Sequence, residues 1–252
     1  MSKTIFITGA TSGFGKTIAE IFAKNGNNVI ITGRRNERLE LISKNLSSKY
    51  GVKVFPLCFD VRIKKEVDAA ITSLPKEWRN IAVLVNNAGL ASGFGKIQDG
   101  KFDDWDKMID TNIKGLLYVS KAIFPIMINN KKGHIINIGS TAGKEVYQGG
   151  NVYCASKHAV DAISKAMRMD LLEYGIKVTQ ICPGAAETEF SEVRFHGNKE
   201  QAKQVYKGYQ PMTAEDIASV TYYVTTLPEN LCINDLVVTS LAQANSYYID
   251  RK

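Results

Sequence analysis

Three residues in the stretch HIINIGSTAGKEVYQGGNVYCASKHAV are of types that move protons: Ser140, Tyr153 and Lys157. Tyrosine and lysine four positions apart share one face of a helix. An ammonium beside a phenol favours the phenolate, so its proton can be drawn off closer to neutral pH. A serine hydroxyl aimed at the same point can hold a carbonyl oxygen. Such a trio suits proton transfer to or from an alcohol or ketone oxygen, and it needs a hydride carrier elsewhere in the chain.

The elements that must position such a carrier are legible from the N-terminus. Residues 4 to 7 (TIFI) read as a strand buried on both faces, and an amphipathic helix follows until Asn25-Gly26. Between them lies a glycine-rich turn: Gly9, Ala10, Thr11, Ser12, Gly13, Phe14, Gly15. Glycines there let backbone approach a pyrophosphate, and the helix N-terminus offers free N–H groups to the anion. A purely structural turn would look the same; the flanking strand and helix favour a nucleotide. The second strand, residues 28 to 35, ends in Gly33, Arg34 and Arg35, where NAD enzymes place an acid for the ribose hydroxyls. Guanidiniums there predict a grip on a 2′-phosphate, hence NADP(H). Arg35 has an equal claim to be the solvated start of the next helix. A third strand, residues 53 to 61, carries Asp60 and Val61 toward the adenine. A fourth, residues 81 to 89, ends in Asn86, Asn87, Ala88 and Gly89, which tie strand ends together and leave room for a ribose.

Together these residues make the chain resemble the short-chain dehydrogenase/reductase family. The matches are Thr8-Gly9 with Gly13 and Gly15, Asp60, Asn86 to Gly89, Asn112, Ser140, Tyr153 with Lys157, and Pro183-Gly184 before Thr188. Stretches such as YQGGNVY, TEFSEVRFHG and TTLPENLCIN resemble the NADP-dependent 3-hydroxy acid dehydrogenases within it. The resemblance implies that Tyr153 is the general acid in reduction and base in oxidation. It implies that Lys157 lowers the tyrosine pKa and holds the nicotinamide ribose, and that Ser140 orients the substrate oxygen. By the same resemblance Asn112 holds a relay water, and Thr188 meets the cofactor after the Pro183-Gly184 turn. Asn112 also reads as a helix-interior amide bonded to its own backbone.

The expected fold is a single α/β domain over residues 1–252, a doubly wound parallel sheet with helices on both faces. Its ligand should lie beyond the carboxyl ends of the strands. The least patterned stretch, residues 184–212, reads as a mobile substrate lid. A 3-hydroxy acid needs a cation near that lid, and Arg194 is the candidate, although a surface arginine reads the same way. Lys144 and Gln148 are expected on the opposite wall.

Several classes are disfavoured. The net charge of +7 comes from dispersed lysines and no nucleic-acid recognition element is evident, so neither nucleic acid nor membrane is expected as a partner. No apolar run is long enough to span a bilayer, and no leader is evident around Lys3. Four scattered cysteines and three histidines lack metal spacing, which points to free thiols in the cytoplasm and no metal. The resemblance implies a homo-oligomer, a tetramer, built on helices spanning 103–128 and 152–174. The alternatives are a reductase of another carbonyl class (3-oxoacyl thioester, sugar or ketone) and a non-catalytic NADP-binding sensor; the latter would need neither Tyr153 nor Lys157.

Overall fold

The computed structural model of the protein describes residues 2–252. Seven strands form one parallel sheet: β1 (Thr4–Ile7), β2 (Asn28–Gly33), β3 (Val54–Cys58), β4 (Ile81–Asn86), β5 (Gly133–Ile138), β6 (Ile176–Pro183) and β7 (Asp235–Val238). Their order across the sheet is β3-β2-β1-β4-β5-β6-β7. The chain runs outward in both directions from β1 and β4, and the crevice beyond their carboxyl ends is the switch point of such sheets. β2 and β3 end earlier than the strands expected over 28–35 and 53–61, which leaves Arg34, Arg35, Asp60 and Val61 in the loops that line this crevice.

Alternation along the strands divides the core into two layers. Phe6, Ile30, Leu84, Ile135 and Val178 face α3 (Lys64–Thr72), α5 (Leu116–Asn129) and α6 (Asn151–Asp170). Ile5, Ile7, Val29, Ile31, Val83 and Val85 face α1 (Gly13–Lys24), α2 (Asn36–Tyr50) and α9 (Ala214–Thr226). The long helix expected over 103–128 is α4 (Phe102–Ile109) and α5 joined by a π-turn at Asp110–Gly115. The stretch 184–212 is less irregular than expected: it contains α7 (Glu189–Arg194) and α8 (Lys199–Gln204). Thr188 and Asn198 cap them by accepting from the amides of Phe190 and Gln201.

One histidine makes folding pH-dependent. His134 lies on β5 with Nε2 2.7 Å from Thr179 Oγ1, and burial pushes its pKa down to about 4, with the charges of Lys177 and Lys3 adding to the effect. The unfolded chain takes a proton near 6.5 that the folded state refuses until about 4. Stability from this group is therefore complete above pH 6.5 and falls as pH drops through that window, by roughly 3 kcal/mol in total. Denaturant melts at pH 7 and pH 4.5 should show a smaller loss for His134→Gln than for the parent. Equal losses would remove His134 as the cause.

Candidate active site

The crevice is a cavity of about 580 Å³ between the glycine turn, the ends of β4 to β6 and the α7 segment. Its floor is held by Asn87, whose side-chain amide donates to Thr8 O at 2.8 Å. The backbone N–H groups of Asn87 and Ala88 both donate to Thr8 Oγ1 at 2.9 Å. These bonds lock β1 to β4 where a nucleotide would cross them.

The turn fits a pyrophosphate on geometric grounds. Gly9 and Gly13 have φ of +67° and +49°, a region that favours glycine. A Cβ on Gly15 would stand 2.3 Å from Gly9 O, so no other residue fits there. Thr188 faces Gly13 across the cavity, at 3.5 Å from where a Cβ would sit. Pro183, Gly184, Phe14, Ser12, Val61, Ala88 and Gly89 line the same space. Arg35 is more firmly placed than Arg34. Its Nε and Nη2 donate to Thr11 Oγ1 at 3.0 and 2.6 Å, and Nη2 donates to Ser12 Oγ at 2.8 Å. Arg34 is largely exposed, with Nη1 3.7 Å from Asp60. The Asp60 carboxylate is gripped by Arg62 at 2.6–3.1 Å. Partial burial would raise the Asp60 pKa, but Arg62 and Arg34 hold it below the usual carboxylate range.

At the nicotinamide end Ser140, Tyr153 and Lys157 converge as expected. Lys157 Nζ lies 6.0 Å from the Tyr153 ring centroid and donates to Ile138 O at 2.9 Å. Burial lowers the lysine pKa to about 8. The electrostatic expectation for Tyr153 needs correction. Burial drives its phenol well above the ordinary value, reinforced by Tyr147, and the groups that pull it back are Ser140 and Arg194 rather than Lys157. In this arrangement the tyrosine is held as the neutral phenol. Asn112 sits in the π-turn with its amide fully used: Oδ1 accepts from Leu90 N at 2.9 Å, and Nδ2 donates to Leu90 O at 2.8 Å and Ser156 Oγ at 2.9 Å. The amide is thus spent on Leu90 and Ser156 rather than on its own helix backbone, and it lies beside Gly89 and Lys157.

Arg194 lies inside the cavity, not on the surface. Its guanidinium carbon stands 4.8, 5.4 and 5.7 Å from the ring centroids of Phe94, Tyr147 and Tyr153. Nε and Nη2 are buried and have no hydrogen-bond partner among the described residues. Just beyond it His196, at φ +52°, places Nε2 3.4 Å from buried Asp104, which also takes the Ser92 hydroxyl at 2.5 Å.

The other wall is not as expected. Gln148 is exposed and lies outside the cavity, and the neighbouring Tyr147 takes its place. Gly149, two residues on, has φ +80°. Lys144 also lies outside, because its ammonium pairs with Asp161 and Asp235. Lining residues that were not singled out from sequence include Phe94, Tyr147, Glu189, Phe190, Gln243 and Ile249. The cap signature Thr188-x-Phe190 at the head of α7 was the available signal for two of them.

Comparison with known proteins agrees with this geometry. The model of the short chain dehydrogenase family matches residues 3–199. The chain belongs to that family. It is therefore an oxidoreductase of the short-chain type. It is 45% identical over 251 residues to the NADP-dependent 3-hydroxy acid dehydrogenase of Schizosaccharomyces pombe, covering 99% of this chain and 97% of that one. It is 43% identical to sulfoacetaldehyde reductase 2 of Chromohalobacter salexigens, over the full length of both. Among solved structures, the closed form of serine dehydrogenase complexed with NADP+ superimposes with a TM-score of 0.92 at 43% identity, covering 96% of this chain and 97% of that one.

Proposed function

We propose that the protein is an NADP-dependent dehydrogenase that interconverts small 3-hydroxy acids with the corresponding 3-oxo acids or semialdehydes. The observation that carries this reading is Arg194: a guanidinium stacked on the Tyr153 ring with two buried donors unpaired. Leaving buried donors unpaired is costly, so the site calls for an anionic group on the substrate itself. A 3-hydroxy acid places its carboxylate two bonds from the reacting carbon, a separation that suits neighbouring Arg194 and Tyr153. Named relatives acting on 3-hydroxy acids and serine support the same class. Sulfonate fits the same fork, and the sulfoacetaldehyde relative makes a 2-hydroxysulfonate the second reading.

Arg35, Thr11 and Ser12 would hold the 2′-phosphate side of the cofactor, the Gly9–Gly15 turn its pyrophosphate, and Lys157 its nicotinamide ribose. When bound, the nicotinamide exchanges a hydride with the substrate carbon. Ser140 Oγ donates to the substrate oxygen and fixes it against the Tyr153 hydroxyl. In reduction Tyr153 gives that oxygen its proton; in oxidation the phenolate takes it back. Asn112 keeps Leu90 and Ser156 in register beneath these groups. The segment 184–212 serves as the substrate lid, with Arg194 carried on α7.

Homo-oligomerisation, with a tetramer as the expected state, is part of the proposal. Exposed Leu117, Met169 and Leu172 on and after the long helices, and Leu241, Tyr247 and Tyr248 in the tail, support it. Among the described residues no helix is long and apolar enough to cross a membrane, and all four cysteines are free, as suits a reducing cytoplasm.

The test is nicotinamide absorbance with L-serine, L-allo-threonine, 3-hydroxyisobutyrate, 3-hydroxypropionate and 2-hydroxyethanesulfonate, against uncharged alcohols. Turnover of the acids supports the reading; turnover confined to uncharged alcohols discards it. The cofactor half is checked separately. Arg35→Ala should weaken NADP by about tenfold to a hundredfold, as the loss of a charge-assisted bond implies, and spare NAD. Equal loss for both cofactors refutes that half.

A further inference from the structure

The end of β2 holds no acid in the local sequence, yet an acid reaches it through space. Glu189, on the first turn of α7, lies 154 positions from Arg35 in the chain. Its Oε2 accepts from Arg35 Nη1 at 3.4 Å and its Oε1 from Arg38 Nη1 at 3.3 Å. The rest of the Arg35 fork is committed to Thr11 and Ser12, so Nη1 is the arm that remains for an anion. Arg35 and Glu189 line the crevice where the 2′-phosphate side of the cofactor would lie. All three side chains are about half exposed, at 43, 49 and 50%. Ion pairs this exposed are weak and exchange readily, whereas a phosphate brings nearly two charges and three acceptor oxygens.

We propose that Glu189 is a built-in counter-anion for the Arg35–Arg38 pair, which a ribose 2′-phosphate must displace on binding. The proposal rests on the reading of this crevice as an NADP site. Glu189 thereby limits affinity for the phosphorylated cofactor, and its removal sharpens discrimination in favour of NADP. The geometry adds a second link: the same six-residue helix ends in Arg194, so the carboxylate that answers to the cofactor phosphate and the guanidinium that answers to the substrate anion sit on one element. The Glu189 pKa agrees with its pairing: partial burial alone would raise it, but Arg35 and Arg38 hold it below the usual carboxylate range.

The experiment is calorimetric binding of adenosine 2′,5′-bisphosphate and of adenosine 5′-monophosphate, which differ only in the 2′-phosphate, to the full chain without turnover. Glu189→Gln keeps the size of the side chain and leaves the Thr188 cap of α7 untouched. It should tighten the bisphosphate by roughly three- to tenfold, the range that loss of weak competing ion pairs implies, and leave the monophosphate within about twofold. Glu187→Gln, the same charge change two positions away on exposed backbone, should move neither ligand. An unchanged bisphosphate affinity in Glu189→Gln overturns the proposal. So does equal tightening in Glu187→Gln, which would mark a diffuse field rather than a specific competitor. If the parent protein fails to distinguish the two nucleotides, the NADP reading of the crevice falls first and the role of Glu189 with it.

Discussion

Tyr153→Phe should lower turnover by between about 10² and 10⁴-fold while cofactor affinity stays within about twofold. The substitution deletes one oxygen. The ring remains to pack edge-on against Phe190 at 5.7 Å and under the Arg194 guanidinium. Removal of a phenol that is nearly out of contact with water cannot be made good by solvent, because the buried position admits little water to replace it as acid. Ser140 would still hold the substrate oxygen and Lys157 its bond to Ile138 O, so binding and fold persist. The comparison that matters is turnover against the dissociation constant of the cofactor, with thermal unfolding as the control. Retention of more than a tenth of the turnover would show that another group transfers the proton.

Arg194→Leu is expected to cut kcat/KM for hydroxy acids by roughly thirtyfold to a thousandfold or more, and to leave uncharged alcohols or ketones nearly unaffected. The magnitude follows from breaking one side of a desolvated, hydrogen-bonded charge pair, worth about 2–5 kcal/mol. Leucine retains much of the contact with Phe94 and Tyr147, which separates the loss of charge from the loss of packing. Arg194→Lys is the informative partner: it keeps the charge but not the planar fork, so it should recover only part of the loss. Comparable losses for acids and neutral substrates would mean that Arg194 merely holds the aromatic cluster together.

The contrast between what was readable and what was not follows chain distance. The strand, glycine turn and helix around Gly9 to Gly15 are contiguous, and Gly9 and Gly15 answer to contacts within that unit or to the Asn87 turn that seals it. Tyr153 and Lys157 share one helix, so spacing alone placed them together. Lys144 misled because its partners, Asp161 and Asp235, lie 17 and 91 positions away. Gln148 misled by a single position: between Tyr147 and two glycines no periodicity sets which side chain points inward. Glu189 was invisible for the same reason as Lys144, since its charge acts on residues that only the fold brings near. The pKa of Tyr153 was misjudged because proximity to an ammonium is readable from spacing, whereas burial is a property of the whole packing.

The π-turn at Asp110–Gly115 has a consequence for tolerance to length changes. In an α-helix each residue advances the face by about 100°, and a π-turn accommodates one residue more than the regular repeat. The buried stripes of α4 and α5 are therefore out of phase with each other, and that extra residue is the phase corrector between them. Gly115, where a Cβ would stand 2.8 Å from Val61 Cγ2, leaves the turn no room to relax sideways. Deleting any one residue from 110–115 would straighten the helix locally but rotate either Met108 or Val119 out of the core, so this stretch should accept substitution at exposed Lys114 but no single deletion.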